Sequence, residues 1–166
     1  MKTSFDINEP GLNVLPPGVE RHVVNGGGLN GLQIFPDDEI EIINDEGNQI
    51  CEIIVFDKDG ISDPGILNLK ENTKNSEIKK ILSTKDESSL VASYQLKKRN
   101  LNILKSKSSI VFSKDSISGD KVNFKSKDKC YVIFAAPGKN MLVHEQNPST
   151  DLTLFIKRAK IVNDKE

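Results

Sequence analysis

Two short apolar runs constrain the fold of this chain more than any other feature. Residues 50–56 are apolar apart from Glu52, and residues 131–136 form a second apolar run. Both runs are rich in the β-branched and aromatic side chains that favour strands. A strand without apolar–polar alternation has both of its faces covered. The sequence therefore predicts two central strands that are buried on both sides.

The rest of the chain reads as further short strands and one helical insert. Apolar residues alternate cleanly through Leu152, Leu154 and Ile156 in the last strand. Other strands are predicted at residues 19–24, 32–35, 40–43, 109–112 and 121–124. Apolar residues at helical spacing predict a helical insert near residues 76–99. The predicted fold class is mainly β (α+β), an antiparallel β-sandwich or open barrel with that short insert.

Local signals refine the connections. Ser76 is predicted to cap a first short helix, and a second begins near residue 86. The second helix is expected to place Leu90, Val91 and Tyr94 on one face. Residues 44–49 are predicted to join two antiparallel strands as a hairpin. The glycine-rich residues 25–31 favour a flexible, hairpin-like connection over an anion-binding loop, because no helix is predicted to follow them.

Length and charge limit the organisation of the chain. Its 166 residues predict a loose lead-in at 1–14, one β-rich domain at 15–160 and a polar tail at 161–166. The net charge of -1 argues against nucleic acid as a partner. The sequence has no apolar segment long enough to span a membrane and begins without a signal peptide, so a cytoplasmic location is expected.

The residue types most used in catalysis are few and scattered. The two histidines, His22 and His144, and the two cysteines, Cys51 and Cys130, lack the close pairing of zinc ligands. Both cysteines lie within predicted strands and are expected to be buried, reduced and structural. The sequence therefore predicts no catalytic residue and no metal ligand.

Two amide-rich loops next to the buried strands are candidate binding loops. The candidate ligand-binding residues are Glu46, Asn48, Gln49, Gln146, Asn147, Thr150 and Asp151. Amide side chains on rigid supports can read small polar ligands. Turns in which Asn and Asp bond to nearby backbone explain the same residues without a ligand, and both interpretations stay open.

Three patches of the sequence together resemble the urea carboxylase-associated protein family. They are LPPG at residues 15–18, NDEGNQ at 44–49 and NPSTDL at 147–152. AAPG at 135–138 and QNPSTDLTLFI at 146–156 are most similar to the diverged form found ahead of folate-dependent aminomethyltransferases, relatives of the glycine cleavage T protein. The resemblance implies the family's β-rich fold and a small-molecule pocket.

The same resemblance shapes the expected function. Hydrolytic members of that family carry a central block with Cys and His, whereas residues 61–108 here contain neither. The resemblance then implies a non-catalytic accessory or ligand-recognition domain, with an aminomethyltransferase-type domain as partner in cis or trans. No cofactor is expected in this chain, and tetrahydrofolate would belong to the partner. A small urea- or guanidine-type hydrolase or deiminase, and a small-molecule sensor, are the alternatives.

Overall fold

A computed structural model describes residues 15–71, 78, 81–82, 87–113, 115–138 and 149–160 of the chain. The strands are β1 (Val19–Val24), β2 (Leu29–Ile34), β3 (Glu39–Asn44), β4 (Cys51–Asp57), β5 (Ser108–Val111), β6 (Asp120–Lys125), β7 (Cys130–Ala135) and β8 (Leu152–Lys157). A helix, α1, spans Glu87–Lys98, and short 3-10 turns span Pro64–Leu67 and Ile103–Lys105.

The strands form two four-stranded antiparallel sheets. The first sheet has the order β1-β8-β3-β6 and the second has the order β2-β7-β4-β5. No ladder among the described strands joins the two sheets, so they are not closed into a barrel. The predicted fold class is confirmed, in its sandwich form.

The main hydrophobic core lies between the two sheets. The alternating side chains of β8 predicted to face inward, Leu152, Leu154 and Ile156, are fully buried there. They pack in one cluster with residues of β4 and β7 such as Val55 and Phe134. Each such side chain contributes about 1.5–3 kcal/mol through its removal from water.

The second sheet is covered on its other face as well. Ile54, Phe56 and Ile133 form a second buried cluster with residues from the helical segments, among them Ile78 and Leu96. Helical structure over one face and the first sheet over the other explain why β4 and β7 lack alternation. The prediction that these two strands are buried on both faces is confirmed.

A buried carboxylate links β4 to the helical segment above it. Glu52 has no exposed surface, and its Oε1 accepts a hydrogen bond from the backbone N of Ile78 at 3.3 Å. Glu52 alternates with Ile54 and Phe56, so it faces the helical layer. This accounts for the one polar side chain in an otherwise apolar run.

Two predicted hairpins are wrong. β3 belongs to the first sheet and β4 to the second, so residues 45–50 cross between sheets. Residues 25–28 cross between sheets in the same way, from β1 to β2. β3 pairs with β8 and β6, and β4 pairs with β7 and β5, so neither strand has a free edge for the other.

The helical insert is confirmed as α1, but its apolar face points outward. Leu90, Val91 and Tyr94 are 58%, 58% and 62% exposed, whereas Leu96 is buried. Apolar residues therefore lie on both sides of this helix. The predicted cap at Ser76, the lead-in at 1–14 and the tail at 161–166 lie outside the described residues.

The structure also describes the two thiols and the character of the helices. Cys51 and Cys130 are both buried free thiols, as predicted. None of the helices in the described part of the chain has the length and apolar character needed to span a membrane.

Candidate functional site

One end of the sandwich gathers several of the candidate binding residues. The buried side chain of Gln49 is at its centre. Its Nε2 donates to the carbonyl oxygens of Ile50 and Pro137, each at 2.9 Å, and its Oε1 accepts from the backbone N of Thr150 at 2.9 Å. The loops before β4, after β7 and before β8 are thereby joined through one amide. We call this group of loops the Gln49 junction.

The glycine-rich turn between β1 and β2 joins the same junction. Asp151 Oδ1 accepts a hydrogen bond from the backbone N of Gly26 at 2.8 Å. A Cβ at position 26 would overlap the Ser149 carbonyl and come within 2.8 Å of Thr150 N. Position 26 therefore requires glycine because backbone from another loop passes directly against it.

Asn44 is a member of this junction that the sequence did not single out. It is fully buried, and its Nδ2 donates to the Gln49 carbonyl at 2.7 Å and to Ser116 Oγ at 2.8 Å. Its Oδ1 accepts from the backbone N of Gly47 at 3.1 Å. The sequence feature that could have identified Asn44 is its position at the end of a predicted strand, directly before a turn.

The structure brings together some of the predicted ligand-binding residues. Glu46 and Asn48 are exposed on the loop that contains Gln49, and Asn48 has a left-handed backbone with φ of 59°. Hydrogen bonds that involve the backbone account for Gln49, Thr150 and Asp151 without a ligand. The remaining two candidates, Gln146 and Asn147, lie outside the described residues, and ligand binding at these loops stays a prediction.

A charged cluster occupies the opposite end of β8. Arg158 donates from Nε and Nη2 to the two carboxylate oxygens of Glu20, at 2.8 and 3.0 Å. Its Nη1 donates to Asp38 Oδ2 at 2.7 Å and to the Gln33 carbonyl at 2.8 Å. We call Glu20, His22, Asp38 and Arg158 the Arg158 cluster. It connects β1 of the first sheet to β2 of the second.

The pKa of Glu20 is strongly lowered in this cluster. The hydrogen bond from Arg158 is the main cause that lowers the pKa of Glu20 from its ordinary value of 4.5 to about 2, against the opposing effect of burial. His22 Nε2 also donates to Glu20 Oε1 at 3.0 Å. The carboxylate is therefore held ionised.

The two thiols do not have the properties of nucleophiles. Burial raises the pKa of Cys51 far above its ordinary value and raises that of Cys130 to about 11. Reactive thiols instead have a lowered pKa, because the thiolate is the attacking form. Among the described residues, no group of three or more His, Cys, Asp and Glu side chains is placed to hold a metal ion.

A cleft of about 540 Å³ lies between α1 and the β2 edge of the second sheet. Its polar lining includes Asn25, Asn30, Glu87, Gln95 and Tyr131, and its apolar lining includes Val23, Leu29, Val91 and Ala92. We call it the α1–β2 cleft. Its volume falls in the range of about 300–1,000 Å³ that is usual for small-molecule sites.

Tyr131 is held firmly in the wall of this cleft. A Cβ at position 31 would overlap Tyr131 Oη, so Gly31 on the neighbouring strand makes room for the phenol. The Arg99 guanidinium lies 4.3 Å from the ring centroid. The pKa of Tyr131 is raised, chiefly by burial, so the phenol stays protonated and able to donate a hydrogen bond.

The two stacked antiparallel sheets define a DUF1989-type fold. A crystal structure of a DUF1989 family protein from Silicibacter pomeroyi superposes with a TM-score of 0.54, covering 86% of this chain and 80% of that chain. The two are 10% identical, so this likeness concerns the fold alone. No protein-family model matches the chain.

A curated relative is similar in sequence as well. Trimethylamine-oxide aldolase from Ruegeria pomeroyi is 35% identical to this chain over 153 residues, which are 92% of this chain and 19% of the relative. The chain thus spans about a fifth of that enzyme's length.

These likenesses correct two expectations drawn from the sequence. The expected non-catalytic accessory domain is contradicted, because the similar protein is named as an enzyme, and neither alternative function fits better. The link to urea carboxylase and to the glycine cleavage T protein is not supported by either comparison. The motifs behind that link are short and lie mainly in turns, where similar residues recur for backbone reasons.

Proposed function

We propose that this chain is a component of an enzyme of the trimethylamine-oxide aldolase type. The observation that carries the proposal is the 35% identity over 92% of the chain. Such extended similarity includes both sheets and the crossings between them. The matched segment makes up 19% of the relative. The proposed activity therefore belongs to an assembly of this chain with further domains or chains.

The chemistry of such a reaction is a carbon–nitrogen cleavage. Trimethylamine oxide divides into dimethylamine and formaldehyde with no atom added or lost. One methyl carbon is oxidised while the nitrogen–oxygen unit is reduced, so no external oxidant or reductant enters the balance. An enzyme for this reaction must bind a small, methylated, positively charged nitrogen and donate hydrogen bonds to its oxygen.

The partner that the family resemblance implies is compatible with this chemistry. Formaldehyde is a one-carbon unit that tetrahydrofolate readily accepts. An aminomethyltransferase-type domain with bound tetrahydrofolate, in cis or in trans, would take up the released formaldehyde. This partner and its cofactor are part of the proposal.

Segment exchange tests the proposal directly. The 153-residue segment of the Ruegeria enzyme that matches this chain would be replaced by the chain. Dimethylamine and formaldehyde would then be measured by NMR after addition of trimethylamine oxide. We expect the hybrid to form the two products in equal amounts.

The control for this experiment is a protein that shares the fold of this chain but little of its sequence. The same segment would be replaced by the DUF1989 family protein, which is 10% identical to this chain. We expect that second hybrid to be inactive. A folded first hybrid that forms no dimethylamine would overturn the proposed function.

A further inference from the structure

We propose that the α1–β2 cleft binds a small methylated ammonium group. Trimethylamine oxide is the ligand of this class that the proposed function supplies, and the inference rests on that function for this identification. The class itself follows from the charge, the apolar walls and the hydrogen-bonding groups of the cleft.

The charge of the cleft favours a cation. Glu87 is exposed at the start of α1 and is the one ionised residue among the described lining residues, which include no Lys, Arg or His. The neighbouring cations Arg99 and Lys129 line a different hollow, which shares Tyr131 with the cleft, and Arg99 stacks on the Tyr131 ring. A positive ligand in the α1–β2 cleft would thus meet one carboxylate and no cation in the lining.

The apolar lining suits the methyl groups of such a ligand. Val23 and Leu29 come from the two strands that flank the glycine-rich turn, and Val91 and Ala92 come from α1. Methyl groups on a cationic nitrogen carry spread-out charge and are weakly hydrated. They therefore pack against aliphatic walls at a lower desolvation cost than a compact ammonium group would.

The remaining lining offers donors for an oxygen atom. The amides of Asn25, Asn30 and Gln95 each carry an NH2 group, and the protonated phenol of Tyr131 is a further donor type. The oxygen of trimethylamine oxide is a strong acceptor. Tetramethylammonium has no such oxygen and carries a net positive charge, whereas trimethylamine oxide is a zwitterion without net charge, so charge matters more for the first ligand and hydrogen bonding more for the second.

The first test uses two adjacent residues of α1 with the same exposure. Val91 and Leu90 are each 58% exposed, but only Val91 lines the cleft. Binding of trimethylamine oxide and of tetramethylammonium to the full chain would be measured by calorimetry and ligand-observed NMR. We expect Val91→Lys to weaken binding of tetramethylammonium by about tenfold or more through charge repulsion and to weaken the net-neutral trimethylamine oxide less, and Leu90→Lys to leave both unchanged.

The second test removes the carboxylate. Glu87→Gln should weaken binding of tetramethylammonium by about three- to fivefold, as for a solvent-screened ion pair, and the loss should shrink at high salt, whereas the net-neutral trimethylamine oxide should lose less. Glu39→Gln, an exposed carboxylate on the first sheet, is the matched control. Tert-butanol, which has a similar shape but no charge on its central atom, should bind more weakly than either ligand.

Several outcomes would overturn the inference. Absence of binding to the folded chain would do so, as would equal effects of Val91→Lys and Leu90→Lys. Loss of binding in Glu46→Gln with Glu87→Gln unchanged would place the ligand at the Gln49 junction instead. The circular dichroism and thermal transition of each variant establish that it is folded.

Turnover separates this inference from the proposed function. If the hybrid enzyme is active and Val91→Lys within it reacts at the unchanged rate, the cleft proposal fails and the function stands. If the cleft binds both ligands as expected and the hybrid forms no product, the function fails and the binding site stands. The two proposals can therefore fail independently.

Discussion

At the scale of single residues, close approaches determine which side chains are tolerated. Gly31 on β2 faces the Tyr131 hydroxyl on β7, and the two strands pair through Gly31 and Ile133. The Tyr131 ring is 7% exposed and has Arg99 over one face, so it has little freedom to move aside. Position 31 is glycine because the Tyr131 phenol occupies the space of a side chain there. The sequence of either strand alone does not predict this contact.

Gly31→Ala is expected to lower stability by about 1–3 kcal/mol, the usual effect of overpacking. The added Cβ would overlap Tyr131 Oη and lie 2.8 Å from Cζ. Urea unfolding followed by circular dichroism would measure the change. Tyr131→Phe should restore part of the loss in the double variant, and a double variant with simply additive losses would contradict this explanation.

The ionised state of Glu20 predicts how stability changes with pH. Its pKa is about 2 in the folded chain against an ordinary value of 4.5, so the unfolded chain binds a proton first as pH falls. The contribution of Glu20 is fully present above about pH 4.5 and is lost progressively as pH falls towards about 2. Glu20→Gln has no such titration.

The difference in unfolding free energy between the natural chain and Glu20→Gln should therefore shrink with acid. Urea unfolding of both proteins at about pH 6 and about pH 3 would measure it. Because the Glu20 side chain is 41% exposed, solvent screening limits the size of the effect. A difference that stays constant over this range would show that Glu20 is not the titrating group.

At the scale of elements, the sequence predicts strands better than it predicts their partners. The double-sided burial of β4 and β7 follows from their continuous apolar runs, and β8 follows from its alternation. The sheet to which β3 or β4 belongs does not follow, since a turn such as 45–50 can close a hairpin or cross between layers. The outcome depends on contacts with β6, β7 and β8, which are distant in sequence.

Of the two candidate sites, one could be predicted from the sequence and the other could not. The polar loops of the Gln49 junction could be found from amide-rich turns beside buried strands. The α1–β2 cleft could not, because it depends on where α1 lies over the second sheet. Its lining comes from residues 23–31, 87–95 and 131, and no local pattern joins these segments.

Helix α1 presents apolar residues on opposite sides, and only one side contributes to folding. Leu96→Ala should lower stability by about 2–4 kcal/mol, because Leu96 is 7% exposed within the second buried cluster. Leu90→Ala should change it by less than about 0.5 kcal/mol, because Leu90 is 58% exposed. Equal losses in urea unfolding would contradict the assignment of the buried face.

At the scale of the whole molecule, two devices hold the sheets together at opposite ends of β8. The Gln49 junction joins loops at one end through backbone hydrogen bonds. The Arg158 cluster joins β1 and β2, the edge strands of the two sheets, at the other end. Glu20 and Asp38 are 138 and 120 residues away from Arg158 in the sequence, so no spacing rule could have paired them.

Loss of Arg158 should therefore weaken the whole sandwich. Asp38 is 2% exposed, and Arg158→Met would leave its carboxylate with the backbone N atoms of Phe35 and Ala159 alone. We expect a loss of about 2–3 kcal/mol, from broken charged hydrogen bonds and a buried charge without its counter-ion. Met keeps much of the aliphatic stem, so the loss reports charge more than packing.

Lys157→Met is the matched control, since it removes a cation from the adjacent, exposed position. It should change stability by less than about 0.5 kcal/mol in the same urea titration. Replacing Arg158 and Asp38 together, as Met and Asn, should cost less than the sum of the single changes, because the second change removes the orphaned charge. Additive losses would mean that Arg158 acts through packing. The apolar core between the sheets, and not the charged cluster, would then hold the two edge strands together.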